Sequence, residues 1–171
     1  MTDDPFLTLL VEALNLLHPR FAAADGPAYS PADADTPAAL RKERERSYLF
    51  EFYHQFRRLW DKALPVKLGL GHVVVQTDPA APAGRRPDLL FWQLGEAGGP
   101  DRRLAAVSLV FASNPTALAA DLAALARFRT TPGYPTAACV VIGREAEVIE
   151  AADGVARIVY DTDRRSAIVL E

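Results

Sequence analysis

The stretch RLAAVSLVF (residues 103–111) restricts the possible folds of this chain more than any other segment. Both of its alternating faces are apolar, which is typical of an interior strand in a sheet that is covered on both sides. The next segment predicts a helix, with Ser113 or Asn114 as its cap and Pro115 in its first turn. TAACVVIG (136–143) then predicts another strand. Because a helix joins the two strands, we expect them to be parallel.

The remaining periodicities predict helices before these strands and a hairpin after them. The predicted helices span 5–18 and about 37–63, the predicted strands span 72–77 and 88–94, and ARIVYD and SAIVLE form the hairpin around TDRRS. The fold class is therefore α/β, with a mixed β-sheet flanked by helices in an α/β/α sandwich.

The length of 171 residues suits one domain with a substantial core. We predict a single domain over residues 1–171. It consists of an N-terminal helix and loop (1–36), a core (37–142) and a C-terminal hairpin extension (143–171).

Composition narrows the class of protein further. Half of the residues are hydrophobic and 24% are charged, as in ordinary globular domains. The net charge of −3 argues against a protein that coats nucleic acid by bulk charge. The single cysteine, Cys139, lies in an apolar run and predicts a buried, inert thiol. The N-terminal sequence has the features of neither a signal peptide nor a membrane span, so we expect a cytoplasmic protein without membrane contact.

The stretch RRPDLLFWQL (85–94) places Asp88 after a proline, at the mouth of an apolar strand. Over residues 37–142, this motif and the order of helix, three strands, helix and strand resemble the PD-(D/E)XK nuclease superfamily, which has a restriction-endonuclease-like fold. The resemblance implies that Asp88 and an acid on the next strand bind Mg²⁺, and that a lysine two residues later acts on the attacking water. Carboxylates suit a hard cation, and residues two apart on a strand share one face.

The sequence departs from this pattern on the second strand. Ser108 stands where the acid is expected and Val110 where the lysine is expected. No acid-x-lysine motif exists after Asp88, because the last lysine is Lys67. We therefore predict that the catalytic set has degenerated and that the chain is a pseudoenzyme without a bound cofactor.

Further acids are candidates for a remnant metal site. Counting 100° per residue from Phe56, Glu45 falls within the apolar stripe of the long helix, whereas Glu51 falls on the opposite side. Asp78 ends the strand that precedes Asp88. The alternative is structural: Glu45 lies in water at the domain edge or pairs with an arginine, and Asp88 pairs with Arg85 or Arg86.

The leading functional hypothesis is an inactive nuclease-like domain that acts as a binding or scaffold module. Its partner would be a protein, a second copy in a homodimer, or nucleic acid. The rival is an active nuclease that uses Mg²⁺ or Mn²⁺, with Glu45, Asp88 and Asp78 as ligands and Lys67 or an arginine in the lysine's place. A third possibility is a chance resemblance, which a structure would show if strand 88–94 did not lie beside the strand that follows it.

Overall fold

A mixed β-sheet and the helices on its two faces together account for most of the residues that the structure describes. This computed structural model describes residues 4–18, 46–60, 73–75, 84–93, 95, 99–112, 115–143 and 152–170. The helices are α1 (Pro5–Asn15), α2 (46–60) and α3 (Pro115–Thr130). The strands are β1 (Val73–Val75), β2 (Leu89–Gln93), β3 (Arg102–Phe111), β4 (Thr136–Ile142), β5 (Ala156–Asp161) and β6 (Ser166–Leu170).

The six strands lie in the sheet in the order of the chain, β1 to β6. β1–β2, β2–β3 and β5–β6 are antiparallel, whereas β3–β4 and β4–β5 are parallel. This confirms the α/β class, the interior position of the strand at 103–111 and its parallel pairing with the strand at 136–143. The predicted hairpin is β5–β6, and since β5 pairs with β4, the hairpin continues the same sheet.

Each face of the sheet carries its own hydrophobic core, because side chains alternate along the strands. On one face, α1 and α2 pack against residues that include Phe91, Val107 and Val140. On the other face, α3 packs against residues that include Trp92, Val110 and Val141. β3 is covered on both faces, which explains why the sequence at 103–111 shows no polar alternation.

Helix α1 is fixed to the sheet at both of its ends. Asp4 is the N-cap: its Oδ1 accepts hydrogen bonds from the Phe6 and Leu7 amides, while its Oδ2 accepts one from Thr136 Oγ1 at 2.9 Å. At the other end, Asn15 Oδ1 accepts a hydrogen bond from the amide of Ala167 in edge strand β6 at 2.7 Å. The helix therefore ends at Asn15, earlier than the predicted residue 18.

Helix α2 contributes an aromatic stripe to the same face of the sheet. Its buried hydrophobic residues are Tyr48, Phe52, Phe56 and Trp60, whereas Leu49 and Leu59 are only partly buried. The Phe56 ring centroid lies 4.8 Å from that of Phe91 and 5.6 Å from that of Trp60. The large rings, which bury the most area, therefore occupy the centre of the interface.

Among the described helices, none combines the length and apolar composition that crossing a membrane requires.

Candidate functional site

Asp88 lies directly before β2 and is bound to β3. Its Oδ2 accepts a hydrogen bond from the Leu109 amide at 2.8 Å. The regular β2–β3 register ends at Leu89 opposite Val107, so the carboxylate adds one more hydrogen bond to the strand pair. Asp88 thus has a structural role at the strand entry, and its position relative to β3 is fixed.

Ser108 and Val110, which occupy the positions expected for the acid and the lysine, are buried under α3. Val110 is 1% exposed and packs in the same cluster as Leu122 and Leu125. Ser108 is fully buried. A lysine at position 110 would carry its ammonium group into an apolar core, at a large desolvation cost. In this structure, position 110 on β3 therefore contributes to the hydrophobic core under α3.

Asp88, Ser108 and Cys139 form a row across three neighbouring strands. Ser108 lies beside Cys139 in the parallel β3–β4 register. Asp88 is one residue beyond the Leu89–Val107 pair, which places it beside Ser108. Alternation along β3 and β4 directs the Ser108 and Cys139 side chains toward α3. Asp88 is exposed at the rim of this row, whereas the other two members are buried.

The hydroxyl of Ser108 has no hydrogen-bond partner among the residues that the structure describes. A buried hydroxyl without a partner loses its hydration and gains nothing in return. We therefore expect Ser108→Ala to raise the free energy of unfolding by about 0.5–1 kcal/mol. Urea denaturation measures this difference, and Ser108→Thr is the matched control because it retains the hydroxyl. A loss of stability in Ser108→Ala would show that the hydroxyl has a favourable interaction.

Arg85 and Asp121 form an ion pair above this row. Arg85 Nε and Nη2 donate to the two carboxylate oxygens of Asp121, the second over 2.8 Å. The Asp121 side chain on α3 is 3% exposed and that of Arg85 is 47% exposed. Arg127 Nη2 also donates to the Arg85 carbonyl at 3.4 Å. Segment 84–88, which carries the Pro-Asp motif, is thereby tied to α3.

The carboxyl group of Asp88 is electrostatically perturbed. The residue as a whole reaches solvent, but surrounding protein atoms partly desolvate its carboxyl group. This desolvation is the main reason why the pKa is raised from 3.8 to about 6; the Leu109 hydrogen bond and Arg85 oppose the shift, and Asp121 adds to it. Asp88 therefore shares its electrostatic environment with the Arg85–Asp121 pair. A carboxyl group with a perturbed pKa, on a residue that solvent can reach, is also a common property of functional sites.

We expect Asp88→Asn to stabilise the protein in a pH-dependent way. The raised pKa means that the native state favours the neutral acid, so this contribution is present below about pH 4 and is lost as the pH rises through 6. Asparagine stays neutral and keeps an oxygen for the Leu109 amide. Because solvent screens the exposed carboxylate, we expect a gain of only about 1 kcal/mol near pH 8.

Thermal unfolding of both proteins at a series of pH values checks this expectation. The two stability curves should lie together below about pH 4, diverge between about pH 4 and pH 6, and keep a constant separation above that range. Asp153→Asn, at an exposed aspartate in a turn, is the matched control for the loss of one carboxylate. Parallel curves for Asp88→Asn and the wild type would contradict the raised pKa.

The metal ligands implied by the resemblance are only partly within the described residues. Glu45, Asp78 and the alternative cation Lys67 lie outside them. Within the described part of the chain, no group of three or more His, Cys, Asp or Glu side chains could hold a metal ion. Mg²⁺ prefers near-octahedral oxygen coordination, and Asp88 with Ser108 and Val110 does not supply it. The described residues therefore do not fit the metal site that the resemblance implies.

Sequence reasoning missed Asp121 as a member of this site. The residue lies on the apolar stripe of α3, three positions after Leu118 and four before Leu125. An acid on a buried stripe requires a hydrogen-bond or ion-pair partner. Its position on the stripe could therefore have marked Asp121 as a member of a polar site. Its partner Arg85 is 36 residues away in the chain, so only the fold identifies it.

Comparison with protein-family models, characterised proteins and solved structures gives no match to this chain. Strands β2 and β3 are neighbours, as the resemblance requires. Such a strand pair also occurs in other α/β sandwiches, so it does not identify a family.

Proposed function

We propose that this chain is a nuclease-like α/β domain that does not cleave nucleic acid and acts as a binding or scaffold module. The observation that carries the proposal is the burial of Val110 under α3, at the position expected for the lysine. A working site would need a charged group there, next to water and substrate. The order of α2, β1, β2, β3, α3 and β4 supports the nuclease-like part of the proposal.

A cleavage assay tests the absence of activity. Wild-type protein, Asp88→Ala and the control Asp153→Asn are incubated with plasmid, single-stranded DNA and RNA in the presence of Mg²⁺ or Mn²⁺. We expect wild type and Asp88→Ala to give the same background. Cleavage by the wild type and by Asp153→Asn that disappears in Asp88→Ala would refute the proposal.

The alternative is an active metal-dependent nuclease. The exposed carboxyl group of Asp88, with its raised pKa, is the observation that favours it. Glu45 and Asp78 would then complete the metal site, with Mg²⁺ or Mn²⁺ as the cofactor. The same assay with Glu45→Gln and Asp78→Asn distinguishes the alternatives, because only an active enzyme would lose cleavage in these variants.

The partner of the binding module is a protein, a second copy of the chain or nucleic acid. The net charge of −3 favours a protein partner. Light scattering after size-exclusion chromatography detects a homodimer, and fluorescence anisotropy with labelled oligonucleotides detects nucleic-acid binding. Binding of oligonucleotides that weakens steeply with salt would favour nucleic acid over protein.

A further inference from the structure

The cluster formed by Asp88, Ser108, Asp121 and Arg85 contains two carboxylates, one hydroxyl and one cation. Arg85 binds both oxygens of Asp121, and its charge also acts on Asp88. The Cys139 thiol lies beside Ser108. Its pKa is affected by the charges of Asp121, Asp88 and Arg85. Arg85 lies three residues before Asp88 in the same segment, so its ion pair with Asp121 brings α3 next to the row formed by Asp88, Ser108 and Cys139.

The buried hydroxyl of Ser108 is an independent sign that this point suits a polar ligand. Ser108 is fully buried, points toward α3, and lies between Asp88 and Cys139 in the row across the strands. Within the described part of the chain its oxygen has no partner, and it retains lone pairs that it can offer to a cation. The cluster opens to solution through Asp88, which is exposed, and Arg85, which is half-exposed.

We propose that the guanidinium of Arg85 is the internal cation of this cluster, and that it excludes a divalent cation that Asp88, Asp121 and Ser108 would otherwise bind. Arginine carries a permanent charge and its planar donors match a carboxylate in two places. A divalent cation must displace this guanidinium to reach Asp121. The proposal rests on the proposed function, since it gives a physical reason why such a nuclease-like domain would not bind metal.

Removal of the guanidinium should create a weak metal site. Arg85→Gln removes the charge and the bidentate ion pair with Asp121, so both carboxylates of the cluster lose their cation. Two carboxylates and a hydroxyl give a dissociation constant on the order of 1 mM, by comparison with weak natural oxygen sites. In about 10 mM Mn²⁺ we expect the melting temperature of Arg85→Gln to rise by about 3–5 °C, against less than about 1 °C for the wild type.

Matched variants assign the effect to the cluster. Arg85→Gln/Asp88→Asn and Arg85→Gln/Asp121→Asn should lose the Mn²⁺-dependent rise, whereas Arg86→Gln should behave as the wild type does. Each protein is compared with itself with and without Mn²⁺, so differences in basal stability cancel. Electron paramagnetic resonance of Mn²⁺ counts the bound ions directly. If Arg85→Gln is unfolded, Mn²⁺ should restore its near-ultraviolet circular dichroism and Na⁺ should not.

The outcomes separate this proposal from the proposed function. Equal Mn²⁺ responses of Arg85→Gln and wild type, or a response that persists in both double variants, would overturn the role of Arg85. A failure of unfolded Arg85→Gln to recover in Mn²⁺ would do the same. Metal-dependent cleavage by the wild type would instead overturn the proposed function, whatever the response of Arg85→Gln.

Discussion

The Cys139 thiol of the native protein should react with a thiol reagent such as DTNB about a thousand times more slowly than the same thiol in the unfolded chain. Cys139 is fully buried on β4. Its pKa is raised from 9.0 to about 12, mainly by burial and also by the nearby carboxylates of Asp121 and Asp88, whereas Arg85 opposes the shift. Because the thiolate is the reactive form, a shift of this size reduces the reactive fraction at neutral pH about a thousandfold.

The measurement is simple because the chain has one cysteine. Reaction rates are compared at the same pH in buffer and in concentrated guanidinium, and Cys139→Ala provides the blank. A native rate within about tenfold of the unfolded rate would contradict the expected burial. It would indicate that reagent and water reach the inner end of the row formed by Asp88, Ser108 and Cys139.

This result would also bear on the proposed function. A catalytic site must admit water and a phosphate group to its metal ligands. Ser108 lies beside Cys139 on the neighbouring strand, so a protected thiol indicates that the same part of the sheet is closed. A reactive thiol would favour the alternative of an active nuclease.

Local patterns in the sequence predicted most of the fold. The helix between β3 and β4 is evident from its proline start and leucine spacing, and it implied their parallel pairing. The apolar stretch at 103–111 implied a covered interior strand, and burial on both faces bears this out. These predictions succeeded because periodicity and connection rules act over short distances along the chain.

The candidate site was less accessible to sequence reasoning. The sequence alone shows that Ser108 and Val110 replace the acid and the lysine, because this depends only on residue types at a fixed spacing. The ion pair of Arg85 with Asp121 could not, because it joins a loop to a helix 36 residues away. The bond from the Leu109 amide to Asp88 likewise depends on the β2–β3 register, which the sequence does not specify.

Arg85→Ala is expected to lower the free energy of unfolding by about 2–3 kcal/mol. The side chain of Asp121 is only 3% exposed, and in this variant it would lose both hydrogen bonds from the guanidinium group. Breaking a buried ion pair by removing one partner costs about 3–5 kcal/mol, and the half-exposed position of Arg85 places this pair below that range. Urea denaturation followed by tryptophan fluorescence measures the loss.

Two further variants show whether the loss arises from the pair. Arg86→Ala, at the exposed neighbouring arginine, should change the stability by less than about 0.5 kcal/mol. Arg85→Ala/Asp121→Ala should be less destabilised than the sum of its single variants, because the second change removes the unpaired carboxylate. Additive losses, or equal effects of Arg85→Ala and Arg86→Ala, would show that the two charges do not stabilise each other.

The size of the energetic coupling between Arg85 and Asp121 decides what holds segment 84–88, which carries the Pro-Asp motif, in place. Segment 84–88 is joined to α3 through Arg85, both by its side chain and by its carbonyl, which accepts a hydrogen bond from Arg127. Asp88 follows three residues later and is joined to β3 through Leu109. If the coupling is strong, loss of Arg85 should also alter the environment of Asp88, and the pH dependence of stability assigned to Asp88 should change in Arg85→Ala. If it is weak, the hydrogen bond to Leu109 is sufficient to position Asp88, and that pH dependence should remain.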